Sequence, residues 1–140
     1  MRVFLDTNVL IDVVDSARPS HAASYAILKL ATGGRITAVL TGLSIMNTVY
    51  AVRKNGVPRK QLLTAMGAVL SSVEVASTDK AELLAAFTSG WSDLEDAVQF
   101  QAAVGAGRID FIITGNVKDF RAQRSVEVLT PQQFLERLPA

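Results

Sequence analysis

Five short runs rich in β-branched and apolar residues punctuate the chain: "RVFL", "RITAVLTG", "VEVAS", "IDFIITGN" and "VEVLT". Between them lie stretches with helical spacing of apolar residues. Strands that alternate with helices are rejoined by crossovers rather than hairpins, so the pattern predicts an α/β sandwich with a mainly parallel sheet. At 140 residues the chain suffices for one domain and falls short of two, so residues 1–140 are read as a single domain with one core.

The element boundaries carry local signals. "RVFL" runs into "DTN", residues of the type that begin helices, and then into "VLIDVV". "HAASYAILKLA", with Ala22, Tyr25, Ala26, Leu28 and Lys29 at helical spacing, is closed by "TGG". "TGLSIMNTVYAVRK" reads as a helix wrapped by Ile45, Met46, Val49, Tyr50 and Val52, with the amide Asn47 among them. Pro58 suits the first turn of the helix through "RKQLLTAMGAVLSS". Thr78 is expected to cap "DKAELLAAF", and Ser92 with Glu95 matches a capping box before "DAVQFQAAVGAG". "PQQFLERL" closes the chain as a last helix.

Composition narrows the chemistry. Cysteine is absent and His21 is the one histidine, so no disulfide framework or thiolate metal site is open, and any bound metal must rest on oxygen ligands. The apolar runs stop far short of the roughly 18–20 residues that span a bilayer, and "MRVFLDTN" lacks the pattern of a secretory signal; no membrane segment and a cytoplasmic location are expected. A formal net charge of +1 gives no field that draws in polyanions, so nucleic-acid contact would need a local patch.

In open parallel sheets, sites form at the carboxyl ends of strands. Asp6 ends the first run, and Asp119 follows "FIIT" by five residues. Asp93 and Asp96, at i and i+3, can share one side of a helix's first turn, with Glu95 between them pointing elsewhere. Taken singly, each has a plain structural reading as a cap neighbour, a dipole partner or a turn residue. Should Asp6, Asp96 and Asp119 converge, two carboxylates about 4 Å apart would repel by roughly 4 kcal/mol at an effective dielectric near 20. A cation or raised pKa values would then be needed. An all-oxygen donor set favours Mg²⁺ or Mn²⁺, whose natural chemistry with such acids is phosphodiester hydrolysis.

"FLDTNVLID" at 4–12, "DLEDAVQFQAA" at 93–103 and "DFIITGNVKDF" at 110–120 together resemble the PIN-domain family, which includes the VapC toxins of toxin–antitoxin pairs. The resemblance implies a three-layer α/β/α sandwich and a Mg²⁺- or Mn²⁺-dependent ribonuclease. RNA as substrate, a cognate antitoxin protein and a homodimer are implied as partners. Matched by position, Asp6 resembles the family's first metal-binding acid, Asp96 the acid on the later helix, with Asp93 its alternative, and Asp119 the last acid. Thr114 resembles the hydroxyl closing the fourth strand, and Asn116 stands where the family often has Asp or Asn. Thr7, Asn8 and Lys118 adjoin these acids as supporting residues.

One position departs. Where most active PIN domains have a second acidic residue, this chain has Asn47, and no acid lies between Asp15 and Glu74. An amide carbonyl can ligate Mg²⁺ but brings no charge, so weaker metal binding and slower or absent cleavage are expected. A non-catalytic PIN-like module that binds RNA or protein is therefore the alternative. A haloacid-dehalogenase-type phosphohydrolase also begins with a strand and Asp, but it wants a second Asp where Asn8 stands.

Arg53, Lys54, Arg59 and Lys60 form one basic cluster, and Lys118, Arg121 and Arg124 another; Lys118 is singled out for its closeness to Asp119. His21 reads as a surface or capping residue rather than a general base. Tyr25, Phe87, Trp91, Phe100 and Phe134 read as core or dimer-interface residues rather than base-stacking platforms.

Overall fold

The computed structural model of the protein describes residues 1–139; Ala140, the last residue of the expected domain, lies outside them. Strand β1 (Arg2–Leu5) passes through Asp6 into α1 (Thr7–Val14), followed by α2 (His21–Thr32). Then come β2 (Thr37–Thr41), α3 (Gly42–Lys54), α4 (Arg59–Leu70), β3 (Val73–Ala76), α5 (Lys80–Phe87) and α6 (Leu94–Gly105). The chain ends with β4 (Phe111–Ile113), a 3-10 turn (Val117–Phe120), β5 (Glu127–Leu129) and α7 (Pro131–Arg137).

The five strands form one parallel sheet in the order β3-β2-β1-β4-β5. Val3 stands beside Ala38 and Phe111, and Phe4 beside Val39 and Ile112, so β1 is the central strand and its side chains alternate between two covered faces. Val3, Leu5 and Ala38 pack against Val9 of α1, Ile27 and Ala31 of α2 and Phe134 of α7. Leu40 continues this face under Leu62, Met66 and Val69 of α4. Phe4, Val39 and Ile112 face the other way, onto Phe100 and Ala103 of α6 and Phe120 of the 3-10 turn. The result is the expected three-layer sandwich.

Chain direction explains which helices lie where. From β1 the chain steps outward to β2 and β3, and then returns past β1 to β4. Crossovers of one hand that reverse direction must change face, which puts α5 and α6 opposite α1, α2 and α4. The reversal leaves a crevice between the carboxyl ends of β1 and β4, the switch point where open α/β sheets hold ligands.

Several local expectations are corrected. Helix α5 is capped by Asp79, whose N–H is met by Glu82 Oε2 at 2.9 Å; Thr78 lies one residue too early, and its buried hydroxyl finds no partner among the described residues. Helix α6 is capped by Asp93, which accepts from the Asp96 N–H at 3.0 Å, rather than by Ser92. In both cases adjacent residues have equal cap chemistry, and the tertiary path decides which one faces the first turn. On α2 the buried side is Ser24, Ile27, Leu28 and Ala31, leaving Tyr25 exposed. On α3 the buried residues are Ser44, Thr48 and Val52, while Met46 and Tyr50 are exposed. Its N-terminal end turns Ser44 toward the hydrogen-bonding groups Thr7 and Gln99, while Val52, with Ile45 and Val49, joins the apolar cluster of Leu10, Leu40 and Leu62.

Candidate active site

Asp6 is the floor of the crevice. It follows β1 and caps α1, so its carboxylate is buried yet surrounded by donors. Oδ1 accepts the Thr7 N–H at 2.7 Å. Oδ2 accepts the Thr114 hydroxyl at 2.8 Å and the Asn8 amide at 3.0 Å. Asn8 also accepts the Gly115 N–H at 2.8 Å, tying α1 to the end of β4. The residue that stands where a dehalogenase-type enzyme would need an acid thus serves as a brace for Asp6.

Behind this carboxylate lies a closed polar network that sequence reasoning missed. Gln99 of α6 is fully buried; its Nε2 donates to Thr7 Oγ1 at 2.9 Å, and its Oε1 accepts Ser44 Oγ at 2.5 Å. Thr41 Oγ1 lies within reach of Gln99 Oε1 at 3.3 Å and accepts the Ser44 N–H at 3.0 Å. One amide therefore fastens α1, the β2–α3 corner and α6 together. Its signal was present in the sequence: Gln99 is one helical turn beyond Asp96 and interrupts an apolar run.

Asp96, partly buried in the first turn of α6, faces Asp6 across the crevice, and Asp119 enters from the 3-10 turn after β4. Asn116 holds Asp119 through a 2.8 Å bond from Nδ2 to Oδ1, and its own N–H is bound by Thr114 Oγ1 at 3.1 Å. Burial, and then the charges of Asp6, Asp93, Asp119 and Glu95, push the Asp96 carboxyl up to about 7. Asp6 is raised chiefly by burial, opposed by its bonds from Thr114 and Thr7, with Asp119 and Glu95 adding repulsion. No ion pair among the described residues joins a cation to any of these acids.

Glu95 corrects the reading in which it points elsewhere. Its Oε1 accepts Asn47 Nδ2 at 2.7 Å, and its charge acts on both Asp6 and Asp96. Asp93, the alternative to Asp96, is engaged as the α6 cap yet still repels Asp96. The acids ring the crevice more loosely than expected: among the described residues no three of them close into a finished metal cage. As a donor set they consist of carboxylate, hydroxyl and amide oxygens, which fits a hard divalent ion.

The sequence model of the PIN domain matches residues 2–118. The chain belongs to the PIN-domain family. Ribonuclease VapC1 of Aquifex aeolicus is 30% identical to it over 141 residues, covering 97% of this chain and 94% of the relative. VapBC2 from Rickettsia felis, solved bound to a DNA fragment from its promoter, superposes with a TM-score of 0.67 at 18% identity, covering 93% of this chain and 98% of that one. A toxin–antitoxin complex from Klebsiella pneumoniae gives 0.62 at 21% identity, covering 92% and 97%. PAE2754 from Pyrobaculum aerophilum gives 0.64 at 16%, covering 98% and 97%. At such identities these structures support the fold alone.

The remaining residues of this PIN domain sort by distance from the crevice. Lys118 and Arg121 line a cavity of about 280 Å³ together with Asp93, Asp96, Asp119 and Trp91. Arg53 and Lys54 end α3, about 10 Å of helix beyond Asn47, so that basic cluster is remote from the acids. His21 opens α2 with Nδ1 2.7 Å from the Asp12 carbonyl, a loop-closing role. Phe100 and Phe134 are core residues, and Trp91 stacks on Phe100 at 5.2 Å; Tyr25 and Phe87 are exposed rather than core. No helix among the described residues is long and apolar enough to cross a membrane.

Proposed function

We propose that this PIN domain, spanning residues 1–140, is a cytoplasmic endoribonuclease that hydrolyses RNA phosphodiester bonds with Mg²⁺ or Mn²⁺. The observation that carries it is the Asp6 carboxylate, held by three donors at the β1/β4 switch point and facing Asp96, with Asp119 beside them. Asp6, Asp96 and Asp119 would hold the ion, and Asp93 is the further candidate. When bound there, a divalent ion supplies water activation and charge neutralisation for phosphodiester hydrolysis.

The chain's own groups do the positioning. Thr7, Asn8 and Thr114 fix Asp6, and Asn116 fixes Asp119. Burial and the surrounding acids push the Asp96 carboxyl up to about 7, so a divalent ion held there would displace its proton. Lys118 and Arg121, beside the acids, meet the phosphates flanking the scissile bond.

Kinship with a relative named Ribonuclease VapC1 supports the role of toxin in a toxin–antitoxin pair, with a protein antitoxin as partner; a homodimer is the assembly this reading expects. The test is cleavage of RNA by the purified protein with Mg²⁺ or Mn²⁺. Chelation and Asp6→Asn should each abolish it; cleavage that survives both would overturn the reading. A protein that binds RNA but never cuts it would instead favour the non-catalytic module, which the amide at position 47 and the loosely gathered acids speak for.

A further inference from the structure

We propose that Glu95 belongs to the cation site and that Asn47 is the positioning residue that turns its carboxylate toward the crevice. This rests on the metal-site reading above and extends it to a residue pair bridging α3 and α6.

On a helix, side chains of adjacent residues diverge by about 100°, so Glu95 and Asp96 cannot both face the crevice by helix geometry alone. Asn47 supplies what the helix does not. It sits on α3, which follows β2, while Asp119 follows β4, so the two flank Asp6 from opposite sides of β1. From that side Asn47 Nδ2 donates to Glu95 Oε1 at 2.7 Å. The contact holds a long, exposed and flexible side chain over the α3 side of the crevice.

Two features favour a functional reading over an incidental surface contact. Asn47 lies one helical turn beyond Ser44, whose hydroxyl meets Thr7 Oγ1 at 3.2 Å beside Asp6, so the side chain held by Asn47 is fixed against the α3 wall of the site. Oε2 takes no hydrogen bond from the described residues, while Oε1 is engaged. The amide type at position 47 also has a chemical reason. A carboxylate there would repel Glu95, and an apolar residue would give it no donor; Asn is short, neutral and carries the N–H that is needed. The amide is then not a vacancy in the acid set but the holder of an acid delivered from the neighbouring helix.

The experiment is calorimetric Mn²⁺ titration of the full chain, with RNA cleavage measured in parallel, for wild type, Glu95→Gln, Asn47→Ala, the double variant of these two, Asp96→Asn, and the exchange variant Asn47→Glu/Glu95→Gln. Glu95→Gln should weaken Mn²⁺ binding roughly tenfold or more. Asn47→Ala should weaken it less, and should add nothing once Glu95 is already Gln, because the amide acts only through that carboxylate. The exchange variant, which moves the acid to α3 and the amide to α6, should recover most of the lost affinity; a misfolded protein could not. Wild-type affinity in Glu95→Gln, or independent additive losses from the two positions, overturns the inference. If Asp96→Asn abolishes binding in that same series, the cation site itself stands and Glu95 alone is excluded; if Asp96→Asn also binds as wild type, the site reading has failed with it.

Discussion

Asp96 and Thr114 concentrate the site's acid chemistry into two testable groups. The Asp96 carboxyl has an ordinary value of 3.8 and is pushed up to about 7 in the fold by burial and by four neighbouring acids. Between those values the unfolded chain has lost a proton that the folded chain keeps. Stability from this group is therefore fully present below the unfolded value and is lost as pH rises through the folded one. Without divalent ions, the melting temperature should fall between about pH 4 and pH 8, and Asp96→Asn should flatten that slope. Mn²⁺ should raise the melting temperature more at about pH 8 than at about pH 5, since it competes with the proton. An unaltered pH slope in Asp96→Asn, read by scanning calorimetry, would refute the assignment. Thr114 acts in the opposite sense: its hydroxyl donates to Asp6 Oδ2 at 2.8 Å and stabilises the ionised form. Thr114→Val, nearly isosteric, should weaken Mn²⁺ binding roughly tenfold, and Thr114→Ser should restore it. Equal affinities for Val and Ser would show that the hydroxyl is merely packed.

Among the elements, α6 has the widest reach, because Gln99 bonds to α1 through Thr7 and to the β2–α3 corner through Ser44. Gln99→Leu keeps the volume but takes away the bonds from Nε2 to Thr7 Oγ1 and from Ser44 Oγ to Oε1, in a buried network where a lost partner costs about 1–3 kcal/mol. We expect a loss of about 2–4 kcal/mol in urea unfolding, together with slower cleavage, because α6 also carries Asp96. A stability loss with unchanged cleavage would separate the network from the site. This network marks where sequence reading stops. The five strands were legible because each apolar run is short and flanked by turn or cap residues, and parallel pairing follows from the helices between them. Asp6 and Asp119 were legible because they sit just past such runs, a rule that depends on strand direction alone. Glu95 was not, since helix periodicity turns it away from Asp96, and only a contact with α3, 48 residues distant in sequence, brings it back. The polar inner side of α3 was hidden for a related reason. Ser44 looks like a surface residue until its long-range partner Gln99 is known, while Thr48 settles its buried hydroxyl on the Ser44 carbonyl of its own helix.

Over the whole molecule, a formal net charge of +1 hides a strongly uneven surface. The sheet topology gathers Asp6, Asp93, Glu95, Asp96 and Asp119 at one crevice and sets Lys118 and Arg121 beside them, while Arg53, Lys54, Arg59 and Lys60 lie around the far end of α3. RNA approaching the acids is repelled unless cations, either protein side chains or bound metal, offset that charge locally. Affinity should then depend on a few phosphate contacts rather than on the overall field, and salt dependence counts them. With cleavage silenced by Asp6→Asn, binding of a short single-stranded RNA should weaken with salt at a slope of about −0.7 per phosphate neutralised. Adding Lys118→Ala and Arg121→Ala should reduce that slope by about 1.4, as two contacts disappear. Arg53→Ala with Lys54→Ala should leave a short oligonucleotide's slope unchanged and lower it only for strands long enough to run from the crevice to the end of α3. Fluorescence anisotropy over a salt series distinguishes these cases. If the α3 pair governs the slope for the short strand while the Lys118 pair does not, RNA crosses the far end of α3 and the acids are not where the phosphates are met.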